Sequence, residues 1–188
     1  MTILLIGGSP LTPSRSTRLL HHAGERLTLL GHRTHRLQVR DLPAEALLHA
    51  DFTNAELARA VSLVADASAL VIATPVYKAA YSGVLKAFLD MLPQDGLHDK
   101  VVLPLATGGS QSHMLALDYA LRPVLSALGA RHVLASIYAT DAQVQWSEQD
   151  GLSIEPGIAR RLQDGVDALS TGLLVRREFS EPEAVPLD

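Results

Sequence analysis

The sequence predicts an α/β three-layer sandwich: a five-stranded parallel sheet in the order 2-1-3-4-5, with helices on both faces. Three observations carry that expectation. Apolar runs recur that are too short for helices and lack polar alternation, as strands buried on both faces require. Helix-length stretches separate them, so strand and helix alternate through the chain. With 188 residues the chain suits one such domain. A closed eight-unit barrel usually needs about 250 residues.

The first strand is Ile3 to Ile6, ended by Gly7-Gly8, and a helix follows over Thr17 to Leu30. His35 to Val39 is a weaker second strand. A helix over Asn54 to Ala65 leads to the third strand, Leu70 to Ala73. The next helix, Ser82 to Leu92, has a clear inner face at Leu85, Phe88, Leu89 and Leu92. Lys86 and Asp90, four apart, can pair on its outside. Val101 to Ala106 is the fourth strand and Val133 to Ile137 the fifth. The helix between them, His113 to Leu128, is apolar around most of its circumference, as a helix buried on two sides would be; a subunit interface is the natural second side. Pro123 inside it cannot donate to the carbonyl of Tyr119, so a kink or a π turn is expected there. A last helix covers Ile158 to Leu169. The domain is taken as residues 1–175. The stretch 176–188, rich in acid and proline, is read as a polar tail, disordered or laid on a partner subunit.

Composition excludes several function classes. A net charge of -4 and a pI near 6.0 leave no basic footprint for nucleic acid or anionic membrane. There is no cysteine, which removes thiol nucleophiles, iron–sulfur clusters and cysteine-bound zinc. Electrons, if the protein handles them, must reside on a bound organic cofactor. The N-terminus lacks a basic region before its apolar run, and no apolar run is long enough to span a bilayer; the cytoplasm is the expected compartment. The histidines, His21-His22, His32 and His35 among them, match no metal-ligand pattern and are read as surface residues. His113 alone stands beside a candidate loop. No metal is expected.

Three loops follow the carboxyl ends of strands one, three and four, where open α/β sheets bind ligands. The first, Gly7 to Thr17, carries the hydroxyls of Ser9, Thr12, Ser14, Ser16 and Thr17, together with Arg15, at a helix N-terminus. Hydroxyls and a guanidinium fork suit phosphate oxygens there. Ser14 or Ser16 alone would equally serve as a helix cap. The loop has neither G-x-x-x-x-G-K-[ST] nor G-x-G-x-x-G, and no acidic residue closes strand two to hold a ribose. A terminal monophosphate therefore fits better than a dinucleotide pyrophosphate. The second loop, Thr74 to Lys86, offers Tyr77 and Tyr81 among small residues, a setting for a planar heterocycle. The third, Ala106 to His113, has Gly108-Gly109 for close backbone approach. Gly-Gly-Ser-Gln-Ser lacks the last glycine of a nucleophile elbow. Together the loops describe a mononucleotide site.

These residues carry a resemblance. Gly8-Ser9-Pro10 with Ser14-Arg15-Ser16, the long stretch Thr74-Pro75-Val76-Tyr77-Lys78-Ala79-Ala80-Tyr81-Ser82-Gly83-Val84-Leu85-Lys86, and Leu105-Ala106-Thr107-Gly108-Gly109 resemble the NADPH-dependent FMN reductases, and among them those of bacterial alkanesulfonate monooxygenase systems. The resemblance covers residues 1 to about 140. It implies a flavodoxin-like fold, FMN and NADPH (or NADH) as cofactors, and a homo-oligomer, a tetramer. It also implies delivery of reduced FMN to a flavin-dependent monooxygenase in sulfonate metabolism. By match of motif, Ser9, Ser14, Arg15, Ser16 and Thr17 would hold the FMN phosphate. Pro75, Val76, Tyr77, Lys78 and Ser82 would line the flavin, with Thr107, Gly108 and Gly109 near its ring. Asp118 and Tyr119, on a π-helical turn, would meet a neighbouring chain near the flavin. Leu11 stands where relatives often carry arginine. Hydride passes between the cofactors, so no catalytic side chain is obligatory. Two alternatives are a quinone, azo or chromate reductase that keeps its FMN, and a flavodoxin-type electron carrier.

Overall fold

The computed structural model describes residues 1–180. β1 (Thr2–Gly7) runs into α1 (Arg15–Leu29) and β2 (Arg33–Gln38). α2 (Ala44–Leu48) and α3 (Ala55–Asp66) lead to β3 (Ala69–Tyr77), which turns back through β4 (Ala80–Tyr81) into α4 (Gly83–Leu89). After β5 (Val101–Gly108), a single 3₁₀ turn precedes a π-helical turn, Leu117–Leu121, that continues as α5 (Arg122–Ala127). β6 (His132–Val133), β7 (Ile137–Thr140), a hairpin of β8 (Val144–Ser147) and β9 (Gly151–Ile154), and α6 (Pro156–Ser180) complete the described chain.

The sheet runs β2-β1-β3-β5, and β6 and β7 share the fifth position beside β5. All these pairings are parallel, so the expected order holds. Alternation along the strands divides the core. Ile3 and Leu5 of β1, Val71 of β3, and Leu103 and Leu105 of β5 face α1 and α6. Leu4 and Ile6, Leu70 and Ile72, and Val102 and Ala106 face α2 to α5. The β1 side chains are fully buried on both faces. Truncating one of the buried leucines to alanine would cost about 2–5 kcal/mol. Across one face, Arg26 of α1 forks onto Asp167 of α6 at 3.0 Å, and His32 meets the Ser170 hydroxyl at 2.7 Å. Lys100 donates to the carbonyls of Ala65 and Ala67, closing the C-terminal end of α3.

The structure departs from the sequence reading in places with clear causes. The fifth strand, expected over Val133 to Ile137, is broken at 134–136. The carbonyl of Val102 accepts from Leu134 N–H, so the even positions of β5 point toward this strand. Pro104 is the next of them and has no N–H to offer. The carbonyls of Val133 and Leu134 turn instead to the Arg122 guanidinium. The β3–β4 and β8–β9 hairpins and α2 were not expected. The last helix runs on through Ser180, into the stretch read as a polar tail. Residues 181–188 lie outside the described residues. Among the described residues no helix is long and apolar enough to cross a membrane.

Candidate functional site

The ends of β1, β3, β5 and β7 enclose a cavity of about 290 Å³ at one rim of the sheet. Ser9, Ser14 and Arg15 come to it from the first loop, Pro75, Val76 and Tyr77 from the end of β3, and Thr107, Gly108 and Gly109 from the end of β5. The three loops singled out in the sequence therefore form one pocket. Leu11, Pro13 and Asp141 complete its lining.

Local chemistry shapes the first loop. Ser14 caps α1 by accepting from Thr17 N–H at 3.3 Å, and its hydroxyl meets that of Ser16 at 3.0 Å. Ser9 accepts from the N–H of Leu11 at 3.2 Å. Ser16 and Thr17 are buried behind the pocket wall and are not part of its lining. The Thr17 hydroxyl, in the first turn of the helix, has no hydrogen-bond partner in the protein. A buried hydroxyl left alone costs about 1–3 kcal/mol. Arg15 lies 3.7 Å from Asp141, both half-exposed.

The second loop is a two-residue hairpin turn. Lys78 and Ala79 both take left-handed backbone, with φ 50 and 65. Paired positive φ values give the twist that β3 and β4 need, although neither residue is glycine. Lys78 is exposed and outside the cavity lining. Ser82 is also outside it: fully buried, its hydroxyl donates to the Gly8 carbonyl and accepts from Leu85 N–H as the cap of α4. Thr74 receives Ser82 N–H at 3.0 Å. These bonds brace the first and second loops against each other.

Tyr138 of β7 donates its phenol to the Ser110 carbonyl at 2.6 Å and so pins the third loop. Burial raises the pKa of that phenol above its ordinary value. A Cβ on Gly108 would stand 2.5 Å from the Tyr138 oxygen; a Cβ on Gly109 would meet nothing within 4 Å. His113 is not in the lining.

Outside the cavity lining, Met114 and Leu115 before the π turn and Tyr119 within it are exposed, Tyr119 to 79%. Asp118 bonds Arg122 and the Ser136 hydroxyl, both at 3.3 Å. Sequence reasoning missed Asp141. It follows the carboxyl end of the fifth strand, and the placement rule that found the other loops reaches it too.

A family model described as NADPH-dependent FMN reductase matches residues 1–145. A protein of Escherichia coli K12 named FMN reductase (NADPH) is 48% identical over 187 residues, covering 100% of this chain and 97% of its own. One of the same name from Pseudomonas putida KT2440 is 46% identical over 177 residues, covering 94% and 90%. A 33% identical relative from Pseudomonas fluorescens Pf0-1, covering 76% and 78%, is named NADH-dependent FMN reductase SfnF. Among solved structures, the apo form of an NADH:FMN oxidoreductase (EMOB) superposes with a TM-score of 0.84 at 40% identity, covering 96% and 91%. A Streptococcus pneumoniae flavodoxin, at 14% identity and a TM-score of 0.64 over 92% and 99%, shares the fold alone.

Proposed function

The chain belongs to the NADPH-dependent FMN reductase family and is an NAD(P)H:FMN oxidoreductase; from that premise we propose that the rim cavity holds FMN and that reduced FMN is released to a separate flavin-dependent monooxygenase of alkanesulfonate type. The observation that carries the site is the unpartnered Thr17 hydroxyl, buried in the first turn of α1 beside a cavity lined by Ser14 and Arg15.

The residues present fit the cofactor. Ser9, Ser14, Arg15, Ser16 and Thr17 would hold its phosphate, with the free N–H groups of the α1 N-terminus behind them. Arg15 must exchange Asp141 for phosphate oxygens to do so. Pro75, Val76 and Tyr77 would border the flavin from one side and Thr107, Gly108 and Gly109 from the other. Lys78 and Ser82 act less directly in this reading: Lys78 shapes the turn and Ser82 braces it. Bound FMN supplies two-electron chemistry, accepting hydride from the nicotinamide. The protein's part is to orient both rings, exclude water and place backbone donors where negative charge develops. No side chain need move a proton for the hydride step.

The delivery reading is supported by the resemblance to sulfonate-system reductases and by a relative named SfnF at 33% identity. Release requires weak flavin retention. The π turn with exposed Tyr119, together with exposed Met114 just before it, is proposed as the face that joins subunits, in a homo-oligomer of tetrameric kind. Work in the cytoplasm, with no nucleic-acid or membrane partner, is part of the same proposal.

Anaerobic mixing with NADPH and FMN, followed by flavin absorbance, tests the reading. FMN should bleach and behave as a saturable substrate, and riboflavin, which lacks the phosphate, should compete poorly. A preparation that keeps stoichiometric FMN through extensive dialysis and passes its electrons to a quinone or azo dye would overturn the delivery role. Failure of NADPH to bleach FMN would leave an electron carrier.

A further inference from the structure

A second opening adjoins the rim cavity at the phosphate loop. This crevice, of about 140 Å³, shares Ser14 and Arg15 with the rim cavity and reaches Arg18 and Trp146. Those two residues in turn border a cavity of about 420 Å³ that opens along α1 beside His21 and His22. The Arg18 guanidinium carbon lies 3.5 Å from the centre of the Trp146 ring. The hairpin that carries this tryptophan is anchored, with Val144 fully buried and its other strand packed on the core. Trp146 itself remains 46% exposed. A large aromatic ring held half in solvent by a stacked arginine is the usual dress of a recognition surface for a flat, anionic ligand.

We propose that this cleft is the subsite for the adenosine 2′-phosphate half of NADPH, with Trp146 stacking the adenine and Arg18 forking onto the phosphate; the assignment rests on the oxidoreductase reading above. Size argues for it. Drug-sized ligands fill pockets of roughly 300–1,000 Å³, so a rim cavity of about 290 Å³ has no room for a dinucleotide beside a bound mononucleotide. A donor whose nicotinamide reaches the flavin must lay its adenosine end outside that cavity, and the neighbouring cavities share Arg15 on one side and Arg18 on the other. Charge argues the same way. Arg15, which lies 3.7 Å from Asp141, and Arg18 line the cleft, with Glu25 the carboxylate in its own lining. His21 and His22 border the same cavity. Arginine reads phosphate through a planar fork, which lysine does not reproduce.

The sequence contains one tryptophan, so intrinsic tryptophan fluorescence reports on the cleft alone. Titration with adenosine 2′,5′-bisphosphate should quench it saturably, and adenosine 5′-monophosphate should bind about tenfold more weakly or worse, because the charged hydrogen bonds of the 2′-phosphate are lost. Arg18→Gln should erase that difference, with Arg18→Lys restoring only part of it. Calorimetry should give the same order, and FMN titration should be unmoved. Separately, reduced nicotinamide mononucleotide, which has no adenosine, is mixed with enzyme and FMN. If NADPH and the mononucleotide both reduce FMN but the bisphosphate neither quenches nor releases heat, the cleft assignment falls and the oxidoreductase reading stands. Equal binding of the two adenosine phosphates, or bisphosphate affinity unchanged in Arg18→Gln, also overturns the assignment. If neither donor reduces FMN, both fall together.

Discussion

The Ser82 hydroxyl donates to the carbonyl of Gly8, joining loops 74 positions apart in sequence. The same oxygen accepts from Leu85 N–H and caps α4. One buried atom thus ties the phosphate loop to the loop that follows β3. Ser82→Ala should cost about 1–3 kcal/mol, since it strands a buried carbonyl and removes a cap. Denaturant melts should show the loss, and FMN titration should show weaker binding from the loosened rim. A melt unchanged from the parent would remove Ser82 from this role.

Thr17 gives the opposite sign for stability and binding. Its buried hydroxyl has no protein partner, so Thr17→Val, which keeps the shape, should leave the flavin-free protein as stable or more stable by up to about 1 kcal/mol. FMN affinity should fall about tenfold or more with loss of one charged hydrogen bond, while riboflavin affinity stays level. Equal losses for FMN and riboflavin would place Thr17 away from the phosphate.

Much of this was legible in the chain itself, for physical reasons. Buried parallel strands need continuous apolar runs, and Ile3 to Ile6 and Val101 to Ala106 supply them. Pro123 announced the irregular helix by its missing donor, and the π turn at Leu117–Leu121 immediately precedes it. Pro104 held the same kind of message for the broken fifth strand, but its effect lands on a neighbouring strand that periodicity cannot see. The Lys78–Ala79 turn lacks the Asn-Gly or Asp-Gly signal of its type, so β4 was invisible. Ser82 was taken to line the flavin because its motif does; the structure shows a strut. The Arg18–Trp146 stack joins a helix to a late hairpin, and no local pattern links the two. His21 and His22, read as surface residues, stand at that cleft.

Two adjacent glycines separate stability from binding. Gly108→Ala would drive its Cβ to 2.5 Å from the Tyr138 oxygen, so the Tyr138–Ser110 bond must shift. The expected cost is about 1–3 kcal/mol in a thermal or denaturant melt. Gly109→Ala meets nothing within 4 Å and does not occupy left-handed backbone, so its melt should match the parent. Gly109 nonetheless lines the cavity, and the added methyl should weaken FMN binding, read by flavin fluorescence. If Gly109→Ala binds FMN as the parent does, backbone approach at that residue is unnecessary.

Acid should loosen the α1–α6 face through His32. Its ring meets the Ser170 hydroxyl at 2.7 Å. Burial, followed by the positive N-terminus, lowers its folded-state pKa below the ordinary histidine value of about 6.5. A basic group with a depressed folded pKa is held neutral by the fold. Well above the ordinary histidine value it is neutral in both states and contributes no pH dependence. As pH falls from there through the folded pKa, the unfolded chain takes up the proton first, and stability is lost. His32→Gln keeps a hydrogen-bonding side chain but does not titrate. Its unfolding free energy should therefore fall less steeply than the parent's on acidification from pH 7 to 5, with the two nearest each other at the neutral end. A parallel decline in both proteins would assign the acid sensitivity elsewhere, with His21, also depressed by burial, the next to test.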